Sequence, residues 1–285
     1  MLKRERTGLL TLSAVTVVLG AIIVGGVYWL GVLTGRGQRV ENRALESSTY
    51  ESQWRGLLDL VSARDLAIAL VALVVLAVVQ RNPRGAIRAV LIVGVADVVA
   101  QVLKYGILVR PDFAALDARN TFPSGHAVAF SSVLFVLIIL VPARIRVLVA
   151  VFASLVLGVV VFQLLGFGWH RLSDVIGGVM ITLSAVGLAH LVVPPRMTDA
   201  RWRAPFGFRV YSIGATVLFA AAAVALLLIA AIVRGSRESG LLLLATQAAA
   251  IGSVVFAIWF VCLIAPRIAP RRTASTDATG RTVTA

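Results

Sequence analysis

Residues 123–141 read PSGHAVAFSSVLFVLIILV: a proline, a serine and a glycine lead into a histidine and then into an uncharged apolar run. Pro123-Ser124 is a helix start signal, with Ser124 as the N-cap and Gly125 leaving room for the backbone to approach a ligand closely. The run from Gly125 to Val141 is too long and too continuously apolar for a barrel strand, so it predicts a helix in a hydrocarbon medium.

Working outward, seven further runs have the same character: Leu9–Leu33, Leu57–Val79, Ala86–Val109, Val147–Phe167, Val175–Val193, Val210–Val233 and Leu241–Ala265. A bilayer core of about 30 Å demands about 20 apolar residues per crossing helix. With 59% hydrophobic and 14% charged residues and a mean hydropathy of +0.95, the chain has no composition for a water-exposed surface. The expected fold is all-α, a polytopic membrane helical bundle. Met1–Arg6 resembles a signal-peptide n-region, but the apolar stretch after it is long and lacks a small-x-small cleavage site, so it is expected to stay as an anchor. The single cysteine, Cys262, rules out an intrachain disulfide and a cysteine metal cluster.

The net charge of +14 does not indicate nucleic acid, because the basic residues are dispersed along the loops instead of gathered in an aromatic-flanked patch. Their placement reports topology. With both termini cytoplasmic, eight spans put Lys3, Arg4 and Arg6; Arg81, Arg84 and Arg88; Arg144 and Arg146; Arg196, Arg201, Arg203 and Arg209; and Arg267, Arg271, Arg272 and Arg281 on the inside. The outer segments are then 34–56, 110–124, 168–174 and 234–240. Lys104, Arg110-Pro111, Pro123–His126 and His170–Asp174 then all fall at the outer ends of spans three to six.

Those residues suit phosphate chemistry. A helix N-terminus at Ser124-Gly125 presents unpaired N–H groups to an anion, and His126 in its first turn is placed to protonate a leaving alkoxide. His170 and Asp174 stand four apart, so a helical turn puts both on one face, where the carboxylate fixes one ring nitrogen and leaves the other as a nucleophile. Ser173-Asp174 fits equally well as the N-cap and first residue of span six. Lys104 is one of only two lysines, and Arg110 offers a planar fork for phosphate oxygens. Asp97 and Gln101 share the face of Lys104. His190 reads as structural.

The region from about Val90 to Val193 resembles the type 2 phosphatidic acid phosphatase superfamily, integral-membrane lipid phosphatases with a six-helix core, related to vanadium-dependent haloperoxidases. Of its three signatures, Pro-Ser-Gly-His is complete at Pro123–His126 and the end of Ser-Arg-x5-His-x3-Asp is present at His170–Asp174. The resemblance implies that His170 attacks phosphorus, Asp174 orients it, and His126 protonates the leaving group and later activates water. Lys104, Arg110, Ser124 and Gly125 then hold phosphate oxygens, with no metal and no cofactor. The chain departs from the pattern twice: five residues instead of six separate Lys104 from Arg110, and Gln163-Leu164 stands where the family has Ser-Arg. Arg171 or Arg119 is the candidate replacement for the missing cation.

The sequence therefore predicts a six-span phosphatase-like core at 1–193 with its motifs within 97–178, a basic cytoplasmic loop at 194–209, two additional transmembrane helices at 210–265, and a disordered cytoplasmic tail at 266–285. The expected activity is hydrolysis of a lipid phosphate or diphosphate (a polyprenyl carrier, phosphatidate or phosphatidylglycerol phosphate) at the outer face of a bacterial cell membrane. Alternatives are phosphoryl transfer to a lipid or sugar hydroxyl, and a decayed lipid-phosphate binder. Expected partners are the lipid-phosphate substrate and membrane lipids, with no nucleic acid; the last two spans are candidates for homo-oligomer contacts.

Overall fold

In the computed structural model, residues 2–48, 62–113, 119–194, 205–233, 235–265, 275–276 and 282–283 are described. Each apolar run forms a helix. Helix α1 (Leu2–Val27) continues into a π-helical turn (Tyr28–Val32) and is followed by α2 (Gly35–Glu46), α3 (Ala63–Val79) and α4 (Pro83–Val102), which also ends in a π turn (Leu103–Ile107). Then come α5 (Gly125–Leu140), α6 (Arg146–Gly166), α7 (Leu172–Val192), α8 (Phe206–Ile232) and α9 (Ser236–Ile264). Six helices, α1, α4, α6, α7, α8 and α9, are long and apolar enough to cross a membrane, whereas α3 and α5 are shorter, at 17 and 16 residues. The first residues of the expected second span, 57–61, lie outside the described residues. Within the tail, Ser275–Thr276 pairs antiparallel with Thr282–Val283. The protein is a polytopic helical bundle.

Helix α7 is the axis, packed against α1, α4, α5 and α9 and buried on nearly every side. Without a hydrophobic drive between helices in lipid, close approach depends on small residues and on polar contacts. Both are present. Gly20 of α1 lies against Ser184, and a Cβ on Gly187 would come within 2.7 Å of the Ser13 carbonyl oxygen. Ser131 of α5 donates to Thr182 of α7 at 2.8 Å.

Helix α9 is not an appendage to the core, because Val254, Ala257, Ile258, Val261 and Cys262 share one buried cluster with α5, α6 and α7. Helix α8 packs on α9 and exposes most of its apolar surface, as a lipid-facing helix should. At the opposite end from the site, two arginines that read as loop charges are internal braces. Arg146 is fully buried and donates to the carbonyls of Ile138 (3.0 Å) and Val141 (3.1 Å) at the end of α5, and Arg88 donates to Val193 at 3.0 Å. Carbonyls at helix ends have no partner within the helix, and these guanidinium groups supply one.

Within the expected outer segment 34–56, residues 35–46 form a helix. Thr34 caps this helix by accepting from the Gly37 N–H at 3.0 Å, and its buried residues are Gln38, Glu41, Asn42 and Ala44. A helix with a mostly polar buried face is covering something polar.

Candidate active site

Lys104 sits in the π turn that closes α4. Such turns widen the helix locally and recur at functional sites. The chain then becomes extended at Leu108, and Asn120 holds this exit by donating to the carbonyls of Lys104 (3.1 Å) and Leu108 (2.8 Å). The turn and the extended residue send Lys104 and Arg110 to different places, so the one-residue departure in their spacing is not a simple rotation on one helix. Lys104 lines a cavity between α3, α4 and α5. Arg110 is buried behind it, with Nη2 donating to Asp174 Oδ1 at 3.0 Å and Nε making no hydrogen bond.

Ser124 is the N-cap of α5, accepting from the Ala127 N–H at 3.3 Å, and its own N–H donates to the Asp174 carbonyl at 2.9 Å. It is fully buried and does not line the cavity; Pro123, Gly125 and His126 do. The start of α5 can sit this close to α7 because Gly177 and Gly178 have no side chains. A Cβ on Gly177 would lie 2.5 Å from the Phe122 ring, and one on Gly178 2.7 Å from the Ser124 carbonyl oxygen.

Helix α7 begins earlier than Ser173-Asp174 implied. Its N-cap is Arg171, and Asp174 reaches back to accept from the Arg171 N–H at 3.0 Å. The Asp174 carboxylate also accepts from Thr121 Oγ1 at 2.6 Å and lies 3.5 Å from His170 Nδ1. Catalytic hydrogen bonds are often this long before substrate binds. With Nδ1 facing Asp174, Nε2 is the ring nitrogen left for the cavity.

The cavity, about 530 Å³, runs between α3, α4 and α5. One end holds His170, His126, Gly125 and Lys104; the other reaches Leu70 and Gly94, and Asp97 and Gln101 lie along the same wall. The two histidine rings face each other edge-on with centroids 6.2 Å apart, and Trp169 tilts against His126 at 5.5 Å. One phosphoryl group can touch both rings, given a near-attack contact of about 3–3.5 Å and a hydrogen bond of about 2.6–3.2 Å. His190 lies elsewhere, its Nδ1 2.9 Å from the Val186 carbonyl oxygen within α7.

Among the described residues, no arginine lines this cavity in place of the missing cation of the third signature. Leu164 is fully buried in the apolar core, Arg119 is exposed, and Arg171 is held by Asn42 (Nε to Oδ1, 2.9 Å) and Thr121 (Nη1 to Oγ1, 3.5 Å). Restoring the family residue should therefore fail. Leu164→Arg is expected to destabilise the protein by several kcal/mol, on the order of a buried unpaired charge, and not to accelerate it; a thermal melt in detergent unchanged from wild type would refute this.

Thr121, Asn42 and Glu41 escaped the sequence reading. Glu41 takes two hydrogen bonds from Ser173, from the N–H at 2.7 Å and from Oγ at 3.0 Å. Burial first, and the Asp174 charge second, push its carboxyl up to about 7, against the opposing pull of Ser173 and Arg110. Gln38, Glu41 and Asn42 fall at i, i+3 and i+4, so the signal was a polar stripe on one helical face.

Residues 85–198 match the PAP2 superfamily. No curated protein and no solved structure matches the chain. The matched segment runs from α4 to just past α7, leaving α2, α8 and α9 outside it. The segment similar to the PAP2 superfamily is the one that holds Lys104, Arg110, both facing histidines and Asp174.

Proposed function

We propose that the protein hydrolyses a lipid phosphate or diphosphate at the outer face of the cell membrane through a phosphohistidine. The observation that carries this reading is the meeting of His170, His126 and Lys104 on one cavity that continues between apolar helices. His170 Nε2 attacks the terminal phosphorus while the leaving oxygen, that of the lipid alkoxide or, for a diphosphate, of the lipid monophosphate, departs with a proton from His126. Water, deprotonated by His126, then attacks the phosphohistidine and inorganic phosphate leaves. Asp174 keeps Nδ1 oriented and balances the positive charge on the phosphorylated ring. Lys104 and the N–H groups at the start of α5 face the phosphoryl oxygens, where preorganised donors are worth a few kcal/mol each in the transition state.

Purified protein in detergent, offered phosphatidate, phosphatidylglycerol phosphate and polyprenyl phosphate and diphosphate, is expected to release inorganic phosphate from at least one of them and to be inhibited by vanadate. No release from any would point instead to transfer onto a lipid or sugar hydroxyl, or to binding alone. The outer placement rests on the arginine-rich turns at the other end of the bundle. A cysteine at Arg119 should react with an impermeant thiol reagent added to intact cells and one at Arg144 should not; the reverse pattern would put the site in the cytoplasm.

A further inference from the structure

We propose that Glu41, from a helix outside the matched segment, is a positioning residue for this site: its carboxylate clamps Ser173 in the first turn of α7 and thereby sets His170 and Asp174. The proposal rests on the phosphatase reading for its chemistry and on the geometry of α2 for its substance.

Helix α2 is fastened over the site by consecutive contacts of one face. Gln38 donates to the carbonyls of Val32 (2.8 Å) and Pro111 (2.6 Å), Glu41 accepts from Ser173, and Asn42 accepts from Arg171. The backbones approach tightly here, since a Cβ on Gly31 would stand 2.8 Å from the Ser173 Cβ and 3.1 Å from Glu41 Oε1. Ser173 is flanked in sequence by Leu172 and Asp174, and Leu172 follows His170 and Arg171, so holding its N–H and hydroxyl holds the turn that spaces nucleophile and carboxylate. The N–H that Glu41 takes is one that the helix cannot satisfy itself.

Among the described residues, the titratable and charged groups around Glu41 are Asp174, Arg110, Arg171 and His170, and α9 contributes Leu243 and Thr246 to the small pocket it shares with His170. Ionised Glu41 and Asp174 together balance the two arginines. Its carboxyl titrates near neutrality, and a carboxylic acid still satisfies Ser173, with one oxygen accepting from the N–H and the hydroxyl donating to Oγ. The clamp thus survives the proton while the charge beside the anion site changes. By linkage, an anion bound near His170 favours the protonated form, and affinity falls as pH rises through the Glu41 pKa.

The test is vanadate affinity and phosphate release from about pH 6 to pH 8, spanning the value near 7, for wild type, Glu41→Gln and Glu41→Ala. Glu41→Gln, which keeps both contacts to Ser173, should retain turnover at the low end of that range and lose the steep decline, with vanadate affinity falling about fivefold less than in wild type. Glu41→Ala should lose turnover about tenfold or more through kcat, since the clamp is gone. Identical pH dependence in wild type and Glu41→Gln, together with full turnover in Glu41→Ala, would overturn the proposal. Wild type that binds vanadate but releases no phosphate would overturn the phosphatase reading alone, with the vanadate series still deciding Glu41; no vanadate binding at any pH would overturn both.

Discussion

His170→Ala is expected to lose phosphate release by about 10³-fold or more, because in the proposed mechanism it removes the atom to which phosphorus is transferred. The loss should come without a large loss of stability. His170 Nδ1 makes no hydrogen bond within the usual limit, and Asp174 retains Arg110, Thr121 and the Arg171 N–H as partners when the ring is gone. His126→Ala is a useful contrast, since it keeps the nucleophile and should be rescued in part by a substrate with a leaving group that needs no proton. Trapping a base-stable, acid-labile phosphoryl label on the protein checks the same point. Label on His170→Ala, or turnover above about a tenth of wild type, would remove His170 from its role.

Asp174→Asn should be damaging in both respects. The carboxylate is fully buried and answers to three hydrogen-bond donors as well as the histidine. An amide of the same shape presents an NH₂ to one of those donors and takes from the buried Arg110 guanidinium the charge it is hydrogen-bonded to. Breaking such a pair costs about 3–5 kcal/mol, and a misoriented imidazole costs a further rate loss of about 10²- to 10⁴-fold. A detergent melt that falls clearly for Asp174→Asn but stays near wild type for His170→Ala separates the carboxylate as a structural keystone from the histidine as a reactant. Equal melts would mean that Arg110 does not depend on Asp174.

The contrast between these two residues reflects what was readable beforehand. Helix content and the gathering of the motifs at one end of the bundle followed from run length and polarity, which depend on local composition alone. The partners of Asp174 did not, because Arg110 and Thr121 reach it across 64 and 53 residues. Glu41 is 132 residues from Ser173, and its helix was hidden for a physical reason: it buries a polar face where amphipathic patterns bury an apolar one. The π turn after α4 was equally silent, so the Lys104-to-Arg110 spacing looked like a defect when the chain had changed direction between them. Arg146 misled in the opposite sense, counted among solvent charges while its side chain braces the end of α5.

The cavity that joins His170 to Leu70 and Gly94 lies between α3 and α4, whose outer surfaces expose apolar side chains such as Ile68, Val71, Val90 and Val98. A lipid phosphate, the substrate proposed above, would be met there in two dimensions. Its effective concentration is its mole fraction in the membrane or micelle, so adding detergent at constant total substrate lowers the rate by surface dilution, and a Michaelis constant expressed per litre changes with every preparation. Expressed per unit of surface, it becomes a property of the protein.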